Sequence, residues 1–367
     1  MTMKKKIVLS LLGLLSSLLL YLLFWPVPIT PVAWQAPPDP GYTGVFARNA
    51  RLQGIALLPL GGDHGPEEVV VDARGCLYAS TREGYILRLE PNGSPPQPWV
   101  DTGGSPLGIV FDRQGNLIVA DAVRGLLEIT PEGRLLELAT EADGVAIHYA
   151  NNADVAADGK IYFTDSSDKF SPQAFGGTYP ASLLDILEHS GRGRLLVYDP
   201  ATAQARTLLR GLNFPNGVAV SSDQTYVLVN ETGAYRVLRY WIGGSRSGQA
   251  ETFIAQLPGF PDNLTRGQDG RYWVALISPR SALLDKLSDK PFWRRVIPRL
   301  PAFLRPRAVP YGHVIALNAE GEVMLDLQDP DGLYPLTTSV TETSDYLYLG
   351  SLSAPAVGRL AKVQLGL

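Results

Sequence analysis

Apolar and polar residues alternate in short runs along most of this chain, and one unit recurs: an apolar strand, a turn built on Asp or Asp-Gly, then a second strand rich in Tyr, Val and Leu. Period-two alternation closed by turn residues is the pattern of half-buried strands. The unit appears as Val69-Val70-Val71-Asp72 with Cys76-Leu77-Tyr78, as Gly108-Ile109-Val110-Phe111-Asp112 with Asn116-Leu117-Ile118-Val119, and as Ala153 to Asp158 with Lys160-Ile161-Tyr162-Phe163. It returns as Gly217-Val218-Ala219-Val220 with Tyr226-Val227-Leu228-Val229, as Asn263-Leu264-Thr265 with Tyr272-Trp273-Val274, and as Thr338-Ser339-Val340 with Tyr346-Leu347-Tyr348-Leu349. The marker aspartates, Asp72, Asp112, Asp158, Asp223, Asp269 and Asp345, stand 40, 46, 65, 46 and 76 residues apart. Four-stranded propeller blades recur at about 40–50 residues with insertions in loops, so three intervals fit directly and two carry insertions. A third strand often follows, as in Tyr85–Leu89, Leu126–Ile129 and Arg236–Tyr240. The pattern predicts an all-β, six-bladed β-propeller over residues 51–367, with Gln53–Leu60 closing the last blade beside Val357–Val363. Six recurrences of one marker weigh against a plain β-sandwich.

The N-terminus has a different pattern. Lys4-Lys5-Lys6 precedes Ile7–Trp25, a run without charge. At ~1.5 Å per residue this run reaches roughly 28 Å, enough to cross a hydrocarbon core about 30 Å thick. A cleaved signal peptide has a shorter apolar region and small residues at the cut; here the run ends in Phe24-Trp25-Pro26. Residues 1–25 are therefore expected to be an uncleaved membrane anchor. The lysines are expected to stay cytoplasmic, with the propeller on the extracytoplasmic side. Residues 26–50, rich in proline, are expected to form a stiff extended stalk.

Composition narrows the picture further. An apolar fraction of 45% and a charged fraction of 19% are those of a folded chain. A net charge of −4 gives no reason to expect a nucleic-acid partner. The single cysteine, Cys76, excludes an internal disulfide framework and sits in an apolar run as a small core residue.

The candidate chemistry lies where the strands begin. Phe214-Pro215-Asn216-Gly217 is echoed by Phe260-Pro261-Asp262-Asn263. In a propeller the first strand of each blade lines the central channel, so residues entering those strands converge on the axis. Seven residues before the marker stand Asn151, Asn216, Asp262 and Thr338, and Glu67 stands five before its own, on the same face by period two. The second repeat offers Pro106-Leu107 there. This is an all-oxygen set of carboxylates and amides without sulfur or a histidine cluster, as a hard cation such as Ca²⁺ requires. Asn152 and Asn263 are adjacent candidates. Asn and Asp also make turns before strands, which would account for any one position but less readily for several together.

These stretches, with Gly65-Pro66-Glu67, Lys160-Ile161-Tyr162-Phe163-Thr164-Asp165-Ser166-Ser167 and Asp329-Pro330-Asp331-Gly332, resemble the strictosidine-synthase-like family over Gly65–Leu360, and more remotely the paraoxonases and gluconolactonases. The resemblance implies a six-bladed propeller with calcium or another divalent cation in the channel, and in several branches hydrolysis of esters or lactones. It places the metal ligands on Glu67, Asn151, Asn216, Asp262 and Asn263. Asn152 stands where relatives often carry Asp. The glutamate that plant alkaloid synthases use in the sixth blade corresponds to Thr338, which has no carboxylate to accept a proton, so strictosidine-type condensation is disfavoured. The paraoxonase histidine pair is not found. Asp121 lies near one of its positions, and of the four histidines His148 is the one near a ligand.

The expected chemistry is metal-assisted hydrolysis of an ester or lactone, including aryl esters. The cation polarises the carbonyl, and Asp262 acts as ligand and candidate base, with Asp121 and His148 as weaker catalytic candidates. The rival is a non-catalytic propeller that binds a ligand or partner around a structural ion. Two insertions are expected to select the substrate. Ser166–Arg192 should hold a short helix near Ala181–Glu188. Ser278–Arg307 interleaves apolar residues with eight Lys or Arg against Asp285 and Asp289. That composition suits either an interfacial segment over residues 280–307 resting on anionic lipid or a lid over the channel mouth, and the two together suit a lipid-like substrate.

Overall fold

Six four-stranded antiparallel sheets are arranged around one axis in the computed structural model, which describes residues 2–91 and 94–367. The innermost strands are Val69–Val71, Pro106–Phe111, Ala150–Val155, Pro215–Val220, Gly259–Arg266 and Thr337–Glu342, and each lies against the next around the ring. The chain is a six-bladed β-propeller. Ala56–Pro59 pairs antiparallel with Ala356–Ala361, so the last blade takes its outer strand from near the start of the propeller and closes the circle, as the repeats predict.

Burial follows from position within a blade. The second strands are the most enclosed, and Leu117–Asp121 and Tyr226–Glu231 are buried at every residue because a neighbouring blade covers each face. The outer strand Ala250–Ile254 is largely exposed. The apolar core is accordingly divided into wedges between adjacent blades. One wedge joins Tyr78, Ile86 and Val100 to Ile109, Leu117 and Val119. Another joins Leu195 and Val197 to Val218, Val227 and Val229. Each fully buried side chain of this size contributes about 1.5–3 kcal/mol. The marker aspartates make the hairpin turns: Asp72 Oδ1 accepts from the N–H groups of Arg74 and Cys76, both at 2.9 Å, and Asp112 Oδ1 does the same for Gln114 and Asn116. Cys76 is buried, as expected.

A further apolar cluster covers one end of the channel. It combines Leu107, Tyr149 and Phe214 from the blade entrances with Phe170, Ala181 and Leu187 from the first insertion, Ile297 from the second, and Ile29 from the N-terminal segment. The first insertion forms two helices, Pro172–Phe175 and Thr178–Glu188, the latter starting three residues earlier than expected. The second forms the helices Ala282–Lys286 and Pro291–Val296.

The proline-rich segment, expected as a stiff extended stalk, is extended and is strapped across this cap. Thr30 N–H donates to Glu188 Oε2 at 2.7 Å, and Val32 N–H to the Glu188 carbonyl at 2.9 Å. Trp34 stacks on His189 with centroids 3.8 Å apart, and Arg280 donates to the carbonyls of Pro37 and Pro38. Proline removes backbone donors but leaves every carbonyl available, and arginines from the insertion use those carbonyls. Glu188 also receives Lys169 Nζ, at 2.5 Å, and Ser190 Oγ. Glu188→Ala is expected to cost about 2 kcal/mol, the scale of hydrogen bonds to a charged group. It should also release the strap, read as faster proteolysis between residues 26 and 40.

Before the strap, the helix Met3–Phe24 is long and apolar enough to cross a membrane, and none of its residues is buried in the protein.

Candidate metal centre

A β-bulge builds this centre. In five of the six inner strands the register slips at an equivalent position, between Pro106 and Ile109, Ala150 and Ala153, Pro215 and Val218, Pro261 and Leu264, and Thr337 and Val340. The residues caught in the slips are Leu107-Gly108, Asn151-Asn152, Asn216-Gly217, Asp262-Asn263 and Thr338-Ser339. A bulge breaks the alternation of a strand and re-aims side chains, which is why it is common beside active sites. The first blade has the same two-to-one arrangement just before its strand. Glu67 N–H donates to the Ser80 carbonyl at 3.0 Å, and Ser80 N–H donates to the Glu68 carbonyl at 3.1 Å. Glu67 is thus the counterpart of Asn216, and its shorter spacing to the marker reflects a strand two residues shorter before the turn.

Second-strand hydroxyls hold these bulges in place. Ser80 Oγ donates to the Leu107 carbonyl at 2.6 Å, Thr164 Oγ1 to that of Asn216 at 2.7 Å, Ser166 Oγ to that of Pro215 at 2.6 Å, and Thr232 Oγ1 to that of Pro261 at 2.6 Å. Thr338, counted among the converging oxygens from its position, instead donates its hydroxyl to the Glu67 carbonyl at 2.7 Å and positions that backbone. At two of the bulges the neighbouring inner strand lies too close for a side chain. A Cβ on Gly217 would lie 2.1 Å from Leu264 N, and one on Gly108 would lie 2.6 Å from Asn152 Cα.

Glu67, Asn151, Asn216 and Asp262 line the floor of one cavity of about 470 Å³. Asn263 is buried beside them, its Nδ2 donating to the Glu67 carbonyl at 3.4 Å. Asn216 Nδ2 donates to Asp262 Oδ1, and Asn151 Nδ2 to Ser166 Oγ at 3.0 Å. The nitrogens are therefore engaged, and the opposite oxygens are not. Asn151 Oδ1, Asn216 Oδ1, Asp262 Oδ2 and Asn263 Oδ1 are buried without a protein donor. Buried polar atoms are nearly always paired, so four orphaned oxygens together at one end of the channel fit a hard cation. The donors are mostly carboxamides; among the described residues no group of three or more His, Cys, Asp or Glu could hold a metal.

The two carboxylates are held in tension. Burial pushes the Asp262 carboxyl well above the usual range, and the neighbouring Glu67 charge adds to the shift; burial likewise raises Glu67. Both are effects that a cation opposes. Glu68, pushed up to about 8 mainly by burial, turns the other way. Its Oε2 accepts from Ile109 N–H at 3.0 Å and from Asn152 Nδ2 at 2.8 Å. Asn152 Oδ1 in turn accepts from Val218 N–H at 3.0 Å, so this amide ties three blades together and has no atom free for a ligand role.

Two candidate catalytic residues lie elsewhere. Asp121 is buried, but its Oδ1 accepts from the N–H groups of Ser105, Val123 and Arg124, and its Oδ2 from Thr102 Oγ1 at 2.8 Å. It is a turn-forming aspartate away from the cavity lining. His148 is exposed and does not line the cavity. Sequence reasoning missed the hydroxyl clamps, the Glu68–Asn152 bridge, and Asn230, whose Nδ2 donates to the Asp262 carbonyl at 2.5 Å. A polar residue ending each otherwise apolar second strand, as in Val229-Asn230, was the available signal. It also missed the aromatic wall of Tyr149, Phe214 and Phe260 above the floor.

Fold and site together define a channel-centred propeller of the strictosidine synthase-like type, and the chain belongs to that family. Residues 151–245 match the strictosidine synthase family model, and residues 44–89 match its strictosidine synthase-like N-terminal model. The chain is 36% identical over 361 residues to the adipocyte plasma membrane-associated protein of Rattus norvegicus, covering 91% of this chain and 93% of that protein. It is 38% identical over 315 residues to the strictosidine synthase-like 6 protein of Arabidopsis thaliana, covering 84% and 80%. Among solved structures it is similar to a gluconolactonase from Xanthomonas campestris, with a TM-score of 0.61 and 18% identity over 90% of this chain and 98% of that one. It is also similar to the calcium-binding protein regucalcin from Agrobacterium tumefaciens, with a TM-score of 0.57 and 14% identity over 83% and 93%. The N-terminal apolar helix is compatible with a single-pass anchor, and the animal relatives are named plasma membrane-associated.

Proposed function

We propose that this protein is a membrane-anchored, divalent-cation-dependent hydrolase of esters or lactones. The observation that carries the reading is the cluster of four orphaned oxygens near the floor of a cavity large enough for a small organic molecule. Structural similarity to a gluconolactonase and to a calcium-binding propeller supports it. Glu67, Asn151, Asn216, Asp262 and Asn263 would hold the cation, calcium in the first instance. When bound, it supplies Lewis-acid polarisation of a substrate carbonyl.

The chain's own residues do the rest. Tyr149, Phe214 and Phe260 wall the floor and limit the water that reaches a bound ester. Asn216 Nδ2 fixes Asp262 Oδ1 and leaves Oδ2 as the free oxygen. That oxygen is the atom placed to accept a proton from water at the floor. Burial keeps its proton affinity high. Thr338 offers no carboxylate, and its hydroxyl is engaged with the Glu67 carbonyl, so condensation of the alkaloid-synthase kind is disfavoured.

The test is an assay of the full chain in detergent on a panel of lactones and aryl esters, before and after chelation. Hydrolysis lost with the cation and restored by calcium is the expected result; hydrolysis unchanged by chelation would sink the mechanism. One observation favours a second reading, in which the propeller binds a ligand without turning it over. None of the residues lining the cavity is histidine, so Asp262 would have to serve both as ligand and as base. Tight cation-dependent ligand binding with no turnover across the panel would select that reading.

A further inference from the structure

The second insertion carries an apolar rim that none of the described residues covers. Phe292 and Trp293, packed edge to face at 5.5 Å, are 49% and 52% exposed, and Phe303 is 75% exposed. Leu283, Leu304 and Val309 are also exposed, and all three line the cavity, so the apolar surface of the insertion reaches the cavity's mouth. Exposed apolar side chains gathered on one insertion in this way mark an interaction surface.

Charge and position say what it meets. Of the eight basic residues in the insertion, four are buried or ion-paired. Arg280 pairs with Asp285, Arg294 is buried and donates to the Leu187 and Val32 carbonyls, Lys290 pairs with Asp289, and Arg299 is buried at the end of the N-terminal helix. Lys286, Arg295, Arg305 and Arg307 are exposed; Arg305 and Arg307 donate to the Leu300 and Ala302 carbonyls, and among the described residues no carboxylate neutralises any of the four. Arg299 caps the membrane-type helix: its Nε donates to the Trp25 carbonyl at 2.6 Å, and its Nη1 to those of Leu22 at 2.9 Å and Leu23 at 3.1 Å. A cation at a helix C-terminus also meets the negative end of the dipole. The insertion is therefore fastened to the end of the helix at the level where that helix would leave a bilayer.

We propose that this rim, centred on Phe292, Trp293, Phe303 and Leu304, docks on the anionic lipid surface from which the N-terminal helix emerges, and that the cavity opens toward the bilayer. Aromatic and aliphatic tips enter the headgroup boundary while Lys286, Arg295, Arg305 and Arg307 meet anionic headgroups. The ligand that enters such a mouth is an amphiphile delivered from the membrane. The proposal rests on the helix Met3–Phe24 being inserted, and the experiment separates the two.

Full-length protein is placed in nanodiscs containing phosphatidylglycerol, with an environment-sensitive dye on one introduced cysteine: Leu12→Cys in the helix, Phe303→Cys in the rim, or Met324→Cys on an exposed outer strand as control. Phe303 and Met324 are exposed, so substitution does not disturb the core, and the native Cys76 is buried. With spin-labelled lipids the Phe303 dye is expected to lose at least about half its emission, as for a side chain at the headgroup boundary. The Leu12 dye is expected to be quenched and the Met324 dye to stay bright. Leu12 quenched with Phe303 as bright as Met324 would overturn the docking alone, and would indicate a protein partner for the rim. Leu12 unquenched would overturn both the insertion and the docking. Combining Lys286→Glu, Arg295→Glu, Arg305→Glu and Arg307→Glu should remove the quenching at Phe303 and leave that at Leu12. Unchanged quenching at Phe303 would overturn the anionic-surface assignment.

Discussion

Asp262→Ala is expected to lower divalent-cation affinity by at least about 100-fold, a loss of about 2.7 kcal/mol in binding free energy. Asp262 is one of two carboxylates in the set, and cation affinity in oxygen sites follows the number of charged ligands. The other carboxylate, Glu67, would be left with three amide oxygens, too little charge to compensate for dehydrating the ion. Isothermal titration of full-length protein with calcium and manganese checks this. Thermal unfolding gives an independent reading, because a cation that binds the native state raises stability by RT ln(1 + [L]/Kd). The wild type should be stabilised by calcium and the variant should not. The metal-free variant should lose little stability, since the substitution removes a buried carboxyl whose ionisation burial and Glu67 both oppose, even though Asn216 Nδ2 loses its acceptor. Calcium affinity surviving the substitution would remove the centre proposed here.

What the sequence shows clearly is whatever repeats. Six markers at blade spacing predict the propeller, and an apolar run in Gln53–Leu60 predicts the closing strand that pairs at Ala56–Pro59. The same spacing brings Glu67, Asn151, Asn216 and Asp262 to one cavity floor. The reason is physical. A strand register copied from blade to blade places equivalent residues at equivalent depths, so counting residues measures distance along the axis. The bulge was not legible as a bulge, and period-two reasoning alone would send Asp262 and Asn263 to opposite faces. The register slip between Pro261 and Leu264 is what leaves both with orphaned oxygens.

Spacing fails for residues whose roles depend on the neighbouring blade. Asn152 looks like a further ligand by adjacency, yet its amide bonds to Glu68 across blades. Asp121 looks free in sequence but is consumed by three N–H groups of its own turn and of the preceding loop. The strap was illegible for a related reason. Proline-rich composition specifies an extended chain and says nothing of whether that chain finds partners, and those partners, Glu188 and Arg280, lie more than a hundred residues away. The fold is thus readable from local periodicity, and the site is readable only as far as the blades repeat one another.

The carboxylate pair makes a second large effect measurable without any substrate. In the cation-free protein, burial raises Glu67 from 4.5 to about 7, and Asp262 is raised in the same direction. Well below their ordinary values, 3.8 for Asp262 and 4.5 for Glu67, these groups carry their protons in both folded and unfolded states, and the buried pair costs no charge. As pH rises toward 7 the unfolded chain releases its protons while the folded chain retains them, so the unfolded state is favoured progressively. Metal-free stability should therefore fall across pH 4.5–7, on the order of 3 kcal/mol from Glu67 alone. Denaturant unfolding with and without saturating calcium measures it. Calcium should flatten the profile, because proton and cation compete for the same oxygens, and calcium affinity should rise with pH through the same window. Glu68 and Asp185 are raised as well and add slope of the same sign, so the diagnostic comparison is wild type against Glu67→Gln. The amide removes the ionisation without removing bulk, and the difference between the two metal-free profiles isolates Glu67. Superimposable metal-free profiles would mean that Glu67 ionises freely in the folded protein and that no tension awaits a cation in the channel.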